Sequence, residues 1–236
     1  MTGADGTVDL AANLALVRQH MAAAASRAGR DPSAITLVAV TKAQPLERLT
    51  AAGSVGLTDF GENRVQEAAE KIGAWPGPPV TWHLIGHLQG NKARRAAGLF
   101  GMIHSVDSVA LAAMLDDECG RLGKRLPVLL QVNVAGEVAK SGFAPDDGLW
   151  PAAAAIASLK NLEACGLMTV APIAANPEDV RPVFRRLRSL RDELARRLPQ
   201  ADWRHLSMGM SDDFEMAIEE GATLVRLGRA LFGPRG

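Results

Sequence analysis

Eight times along this chain a short apolar run bounded by turn residues gives way to a helical pattern or a helical turn. The runs at 35–40, 56–60, 80–85, 102–106, 127–134, 164–170, 203–206 and 223–227 are continuous rather than alternating, as in strands buried on both faces of a parallel sheet. Parallel strands need crossover connections, and the helical patterns at 64–72, 91–99, 110–122, 150–159, 180–198 and 214–220 supply six of the seven, with a short apolar end at 230–232 after the last run. The plainest helix is the one opened by Asn176-Pro177, where Val180, Phe184, Leu187, Leu190, Leu194 and Leu198 keep one apolar face. A further helix precedes the first strand, with Leu10, Leu14, Val17 and Met21 in one stripe ending near Gly29. The 236 residues fall within the roughly 200 to 250 that an α/β barrel uses as one unit, and no linker or low-complexity tract divides them. The pattern therefore predicts an α/β chain folded as a single (β/α)₈ barrel over 1–236, with an extra N-terminal helix and a flexible, small and polar stretch at 1–6. An open doubly wound sheet would carry a glycine-rich turn after its first strand, a place that Thr41-Lys42-Ala43-Gln44-Pro45 occupies here.

Charge and special residues narrow the function classes. With 26 Lys+Arg against 26 Asp+Glu, no net field gathers nucleic acid or an anionic membrane. The arginines at 185, 186, 188, 191, 196 and 197 suit a solvated helix face. No apolar run approaches the roughly 18 residues of a membrane span, so a cytoplasmic protein is expected. Cys119 and Cys165 lack partners at metal-ligand spacing and suit buried small side chains. His83 and His87 straddle Gly86 in a strand-to-loop segment and would not share a helical face, so no metal site is expected.

In a barrel the site lies at the C-terminal ends of the strands. Lys42 follows the first strand directly. Position alone leaves it open between an ion-pairing or snorkelling lysine and a partly desolvated amine that forms a Schiff base. The segments after strands seven and eight read Ser207-Met208-Gly209-Met210-Ser211 and Arg226-Leu227-Gly228-Arg229, in the two loops where barrels often hold phosphate. Their glycines allow close backbone approach and a helix opening near Ser211-Asp212 offers amide donors, while an ordinary capped turn is the alternative. Asn63 after the second strand suits either a ring contact or a cap for the helix beginning at Arg64.

With these segments assembled, the chain resembles the pyridoxal phosphate homeostasis protein family, single-domain relatives of the alanine racemase barrel. The resemblance is carried by 37–42 (Leu-Val-Ala-Val-Thr-Lys), 59–63 (Asp-Phe-Gly-Glu-Asn), 82–86 (Trp-His-Leu-Ile-Gly), 166–168, 206–213 and 225–228, and it spans nearly the whole chain. It implies that pyridoxal 5′-phosphate (PLP) is held as a Schiff base on Lys42. It further implies that Ser207 and the backbone around Gly228 and Arg229 hold the phosphate, that Arg226 faces the pyridine nitrogen, and that Asn63, Ile85, Gly86 and Met208 belong to the binding site. Thr41 stands where the family often has Ser, and Arg229 where a small hydroxyl residue is frequent.

A permanently protonated Arg226 donating to the ring would leave its nitrogen unprotonated and the ring a weak electron sink. Racemisation also needs an acid/base opposite Lys42. Alanine racemases use a tyrosine there, and this chain has none. The expectation is a monomeric PLP carrier serving vitamin B6 and amino-acid homeostasis, with no catalytic residue assigned and with PLP-dependent apoenzymes as candidate recipients. Two alternatives stay open: a PLP-dependent racemase or lyase using Lys42 as base with His83 or His205 as second group, and a cofactor-free lysine aldolase-like barrel.

Overall fold

The computed structural model describes residues 9–234, so the stretch at 1–6 expected to be flexible lies outside the described residues. Eight parallel strands close into a barrel in chain order, each hydrogen-bonded to the next and the last to the first. They are β1 (Thr36–Val40), β2 (Asp59–Glu62), β3 (Thr81–Leu84), β4 (Met102–Val106), β5 (Leu126–Gln131), β6 (Leu162–Met168), β7 (His205–Ser207) and β8 (Leu224–Leu227). Ahead of β1 stands α1 (Leu10–Arg27), and the crossovers are α2 (Leu46–Ser54), α3 (Val65–Ala74), α4 (Ala93–Leu99), α5 (Val109–Arg121), α6 (Leu149–Ala157), α7 (Arg181–Arg197) and α8 (Phe214–Glu219). A final turn of helix, α9 (Arg229–Phe232), follows β8. Among the described residues no helix is long and apolar enough to cross a membrane.

The eight expected strands are all present, the fourth with the expected ends and the other seven with shifted ones. The second begins at Asp59 rather than 56, because Gly56 at φ 85° closes the turn after α2 and Leu57 N donates to Ala52 O. The seventh starts at His205, since Trp203 leaves the strand path to bury its ring and donate from Nε1 to Leu198 O. α2, between β1 and β2, was not delineated by periodicity. The long helix starts at Arg181, preceded by a 3₁₀ turn over Pro177–Val180 that Asn176 caps through Glu178 N.

Two apolar layers follow from the pleat. One fills the space between sheet and helices, and includes Phe60, Phe100, Phe184 and the buried stripe of α7. The other, Val38, Met102, Leu129, Cys165, Met168 and Leu224, forms a separate cluster inside the barrel. Outside, Asp9 caps α1 through Ala12 N, and the helix buries Leu14, Val17 and Met21. It is tied to α8 by Arg27 Nε to Glu219 Oε1 at 2.6 Å and to α9 by Asn13 Nδ2 to Leu231 O at 2.9 Å.

Candidate functional site

At the C-terminal mouth a cavity of about 430 Å³ is lined by Lys42 and Val40 from the end of β1, Arg226, Gly228 and Arg229 from β8 onward, and Met210 to Asp213 from the loop after β7. The segment between β6 and α7 adds an apolar wall of Pro172, Ile173, Ala174, Pro177 and Val180. Closure explains the meeting: β1 pairs with β8 from Thr36↔Leu224 to Ala39↔Leu227, so the first strand's lysine stands beside the last strand's loop. Lys42 is half-buried there.

The turn carrying Lys42 is held from beneath. Ala43, the only non-glycine residue at positive φ among the described residues (φ 58°), follows it, and the turn closes through Gln44 N to Thr41 O at 3.0 Å. Such a backbone persists only where its surroundings over-determine it. Here Glu67 Oε1 accepts from Ala43 N at 2.6 Å, and Lys71 Nζ donates to Thr41 O at 2.6 Å and to Glu62 and Glu67 at 2.7 Å each. Thr41 Oγ1 adds a 2.6 Å bond to Glu62. Burial pushes the Glu62 carboxyl up, with the bonds from Lys71 and Thr41 opposing. Partial burial also pushes Glu67 up, but bonds from Lys71 and Ala43 N outweigh it and hold that carboxyl below its ordinary value.

Arg226 is 4% exposed. Its Nη1 donates to Ser207 Oγ at 2.7 Å and its Nη2 to Thr169 O at 2.9 Å, both neutral acceptors. Burial lowers its pKa to about 10, with the charge of Asp213 opposing, so the guanidinium stays protonated at neutral pH. A buried cation bonded only to neutral partners is costly, and its remaining donors suit an acceptor on a ligand entering the cavity.

Beside it the loop after β7 is locked to β8 by Arg226 N to Gly209 O at 3.0 Å. Gly209 is required twice over: its φ is 94°, and a Cβ would stand 2.6 Å from that of Ala217. Met210 N donates to Asp213 Oδ1, which turns that carboxylate inward, while Asp212 pairs with the guanidinium of Arg229 at the rim. The two acidic residues are thus engaged. Ser211 Oγ accepts from Ala230 N at 3.2 Å, which leaves the hydroxyl proton to be donated elsewhere. The Arg229 N–H is one of the amides a helix start leaves without an intrahelical acceptor.

Of the residues singled out from sequence, Lys42, Arg226, Gly228 and Arg229 line one cavity. Ser207 does not line it; its fully buried hydroxyl bonds Arg226 and His104. Met208 packs in the apolar layer outside the sheet. Asn63, Ile85 and Gly86 form a neighbouring patch where Thr41 N bonds Gly61 O and Ile85 N bonds Glu62 O. Gly86 is there because a Cβ would meet Asn63 O at 2.4 Å. Asn63 does not cap α3, whose first turn lacks a side-chain cap, and its Oδ1 is buried without a partner. Sequence reasoning missed the wall from β6 to α7 and the Lys71 cluster. The first follows the general rule that every βα loop of a barrel faces the site, whereas the second has no local signal.

Comparison with known proteins places this geometry. A family model described as alanine racemase, N-terminal domain, matches residues 9–236. A pyridoxal phosphate homeostasis protein of Aquifex aeolicus (strain VF5) is 44% identical over 222 residues, covering 94% of this chain and 96% of that protein. Among solved structures, PipY of Synechococcus elongatus PCC7942 with PLP bound superposes with a TM-score of 0.84 at 38% identity, covering 95% of this chain and 100% of that one. An alanine racemase of Clostridium difficile 630 shares the fold alone, with a TM-score of 0.69 at 15% identity, and this chain covers 56% of it.

Proposed function

The chain belongs to the alanine racemase N-terminal-domain family and, within it, to the pyridoxal phosphate homeostasis proteins, and on that premise we propose that it holds PLP reversibly through Lys42. Its role is to maintain vitamin B6 and amino-acid homeostasis by binding the cofactor rather than by turning over a substrate. The observation that carries this reading is a single cavity shared by a primary amine, a buried guanidinium and two glycine-bearing loops.

PLP, when bound, supplies an aldehyde, a ring nitrogen and a phosphate. Lys42 would bind the aldehyde carbon through Nζ, in a turn that Lys71 and Glu67 keep in place. Arg226 would donate to the ring nitrogen and, being protonated, would withhold a proton from it. The Ser211 hydroxyl and the Arg229 backbone amide would bind the phosphate, and Ser207 would act through Arg226, which its oxygen holds in place. Asn63, whose buried Oδ1 has no partner, would accept from the ring's edge, and the apolar wall from Pro172 to Val180 would keep water from its face. Neither His83 nor His205, the candidates for a second acid/base, lines the cavity, which favours carriage over racemisation or lyase chemistry.

The test is spectroscopic and reductive. The full-length protein mixed with PLP should develop a visible band, and borohydride should fix the cofactor on the peptide containing Lys42. A label on another lysine, or α-proton exchange from amino acids at ordinary enzymatic rates, would overturn the reading.

A further inference from the structure

Five side chains form an unbroken line of hydrogen bonds through the interior of the barrel. Asp59 Oδ1 lies 3.0 Å from His83 Nε2, His83 Nδ1 lies 2.9 Å from His104 Nε2, and His104 Nδ1 lies 2.8 Å from Ser207 Oγ. Arg226 Nη1 closes the line at 2.7 Å from the same oxygen. The strands dictate this path. Asp59 opens β2, and Gly61, level with His83 across the β2–β3 pairing, has no side chain to block the way. His83 pairs in register with Met102, so His104 stands two residues further up β4. From there the line crosses to Ser207 on β7 and Arg226 on β8, climbing from the floor toward the mouth.

At its lower end Asp59 borders a second cavity of about 460 Å³, between α1 and the starts of β1 and β2. Its side chain is 22% exposed and its second oxygen accepts from Thr58 Oγ1 at 2.8 Å. The line thus has a water-facing anion at one end and a buried cation at the other.

Those two ends give the hydrogen bonds a direction. A carboxylate only accepts, so Asp59 needs the proton on His83 Nε2. A neutral His83 is then bare at Nδ1 and accepts from His104 Nε2, which leaves His104 Nδ1 to accept from the Ser207 hydroxyl. The Ser207 oxygen in turn accepts from the guanidinium, whose protons are all donors. Each of the three inner members, His83, His104 and Ser207, gives one proton and takes one bond. The opposite direction would require an additional proton on the imidazoles, inside a barrel that already contains the charge of Arg226. Burial first, and the charge of Arg226 with it, hold His104 well below the ordinary imidazole range, which fits the neutral form. Asp59 lies below its ordinary value because the bonds from His83 and Thr58 outweigh its burial, which fits the carboxylate.

We propose that Asp59, His83, His104 and Ser207 form a directed hydrogen-bond chain that holds Arg226 as a fixed donor toward the cofactor ring, so that Asp59, at the far end of the barrel, is a positioning residue of the site. The link to the ring rests on the PLP reading above; the direction of the chain does not.

The experiment separates the two. Nitrogen-15 spectra of the imidazoles in the full-length protein, prepared without and with PLP, report which ring nitrogen carries the proton. Both His83 and His104 are expected as neutral Nε2–H tautomers. Asp59→Asn should redistribute the proton on His104 although residue 59 does not touch it. In the loaded protein, the same variant should shift the visible band and weaken PLP retention about three- to tenfold, the range of one hydrogen bond, with the Lys42 label still formed. A doubly protonated His83, or a His104 protonated on Nδ1 in the wild-type protein, would overturn the chain whether or not the variant folds. An Asp59→Asn protein whose band and retention match the wild type would sever it from the cofactor. If borohydride labels no lysine in the wild-type protein, the PLP reading fails while the imidazole spectra still decide the direction.

Discussion

Three acceptors converge on the Lys71 ammonium beneath the Lys42 turn, and of its two carboxylate partners Glu62 is fully buried. Removing one partner of a buried pair leaves the other charged and unsolvated, a change that costs about 3 to 5 kcal/mol. Lys71→Met should lower stability in urea by that amount, and adding Glu62→Gln should recover part of the loss because the stranded charge is gone. A Lys71→Met protein as stable as the wild type would refute the role given to the pair. The pH dependence has a definite sign. The Glu62 carboxyl titrates above its ordinary value in the folded state, so its contribution is present in acid below the unfolded value and is lost as pH rises through the folded one. With Lys71 gone that loss grows, and the variant's deficit should be larger near neutrality than in mild acid.

Among the elements, β6 and β7 leave no room between them for a side chain at Gly166. Gly166 has φ 155°, and a Cβ on it would stand 2.0 Å from His205 O, which is backbone and cannot swing aside. The β5–β6 register shifts between Val128 and Leu129, so the strand is irregular just where β7 approaches. Gly166→Ala should cost about 3 kcal/mol from strain and overpacking together. Because β7 carries Ser207, it should also loosen Arg226. Gly98 in α4 is the contrast: nothing lies within 4 Å of its added Cβ, so Gly98→Ala should raise stability by roughly 0.5 to 1 kcal/mol. Thermal unfolding of the two variants side by side checks the pair of signs; equal effects would mean that packing at β6–β7 has been overread.

Across the whole molecule, carboxylates knit the N-terminal helix to the barrel's last helices. Glu215 accepts from His20 and Arg27, Glu219 from Arg27 and Arg181, and Glu220 from Arg181 and Arg185. Partial burial pushes all three up, but the bonds and charges of their basic partners hold them below their ordinary value. A depressed carboxylate contributes stability above its unfolded pKa, about 4, and loses it as pH falls through the folded value. Glu62 and Asp213 act in the opposite sense, but Asp59, Glu67 and these three outnumber them. The melting temperature should therefore hold near neutrality and fall through the acid range. A flat acid limb would show that these exposed and half-exposed pairs contribute little.

Local pattern was enough to read the alternation of strand and helix, the barrel it closes into, the extra helix before β1, and the placement of Lys42, Arg226, Gly228 and Arg229 at strand ends. Periodicity and turn chemistry act over a few residues, so they are written in the chain itself. The same local view left α2 undrawn and could not say which side chains His83 and Ser207 meet. What completes the picture is nonlocal. The pleat decides which face of β7 carries Ser207, and the register around the closed sheet decides that its hydroxyl meets Arg226 and His104 while Ser211 reaches the cavity. Asp59 and Arg226 are remote in sequence and share one line of hydrogen bonds only because closing the barrel sets the stagger of all eight strands together.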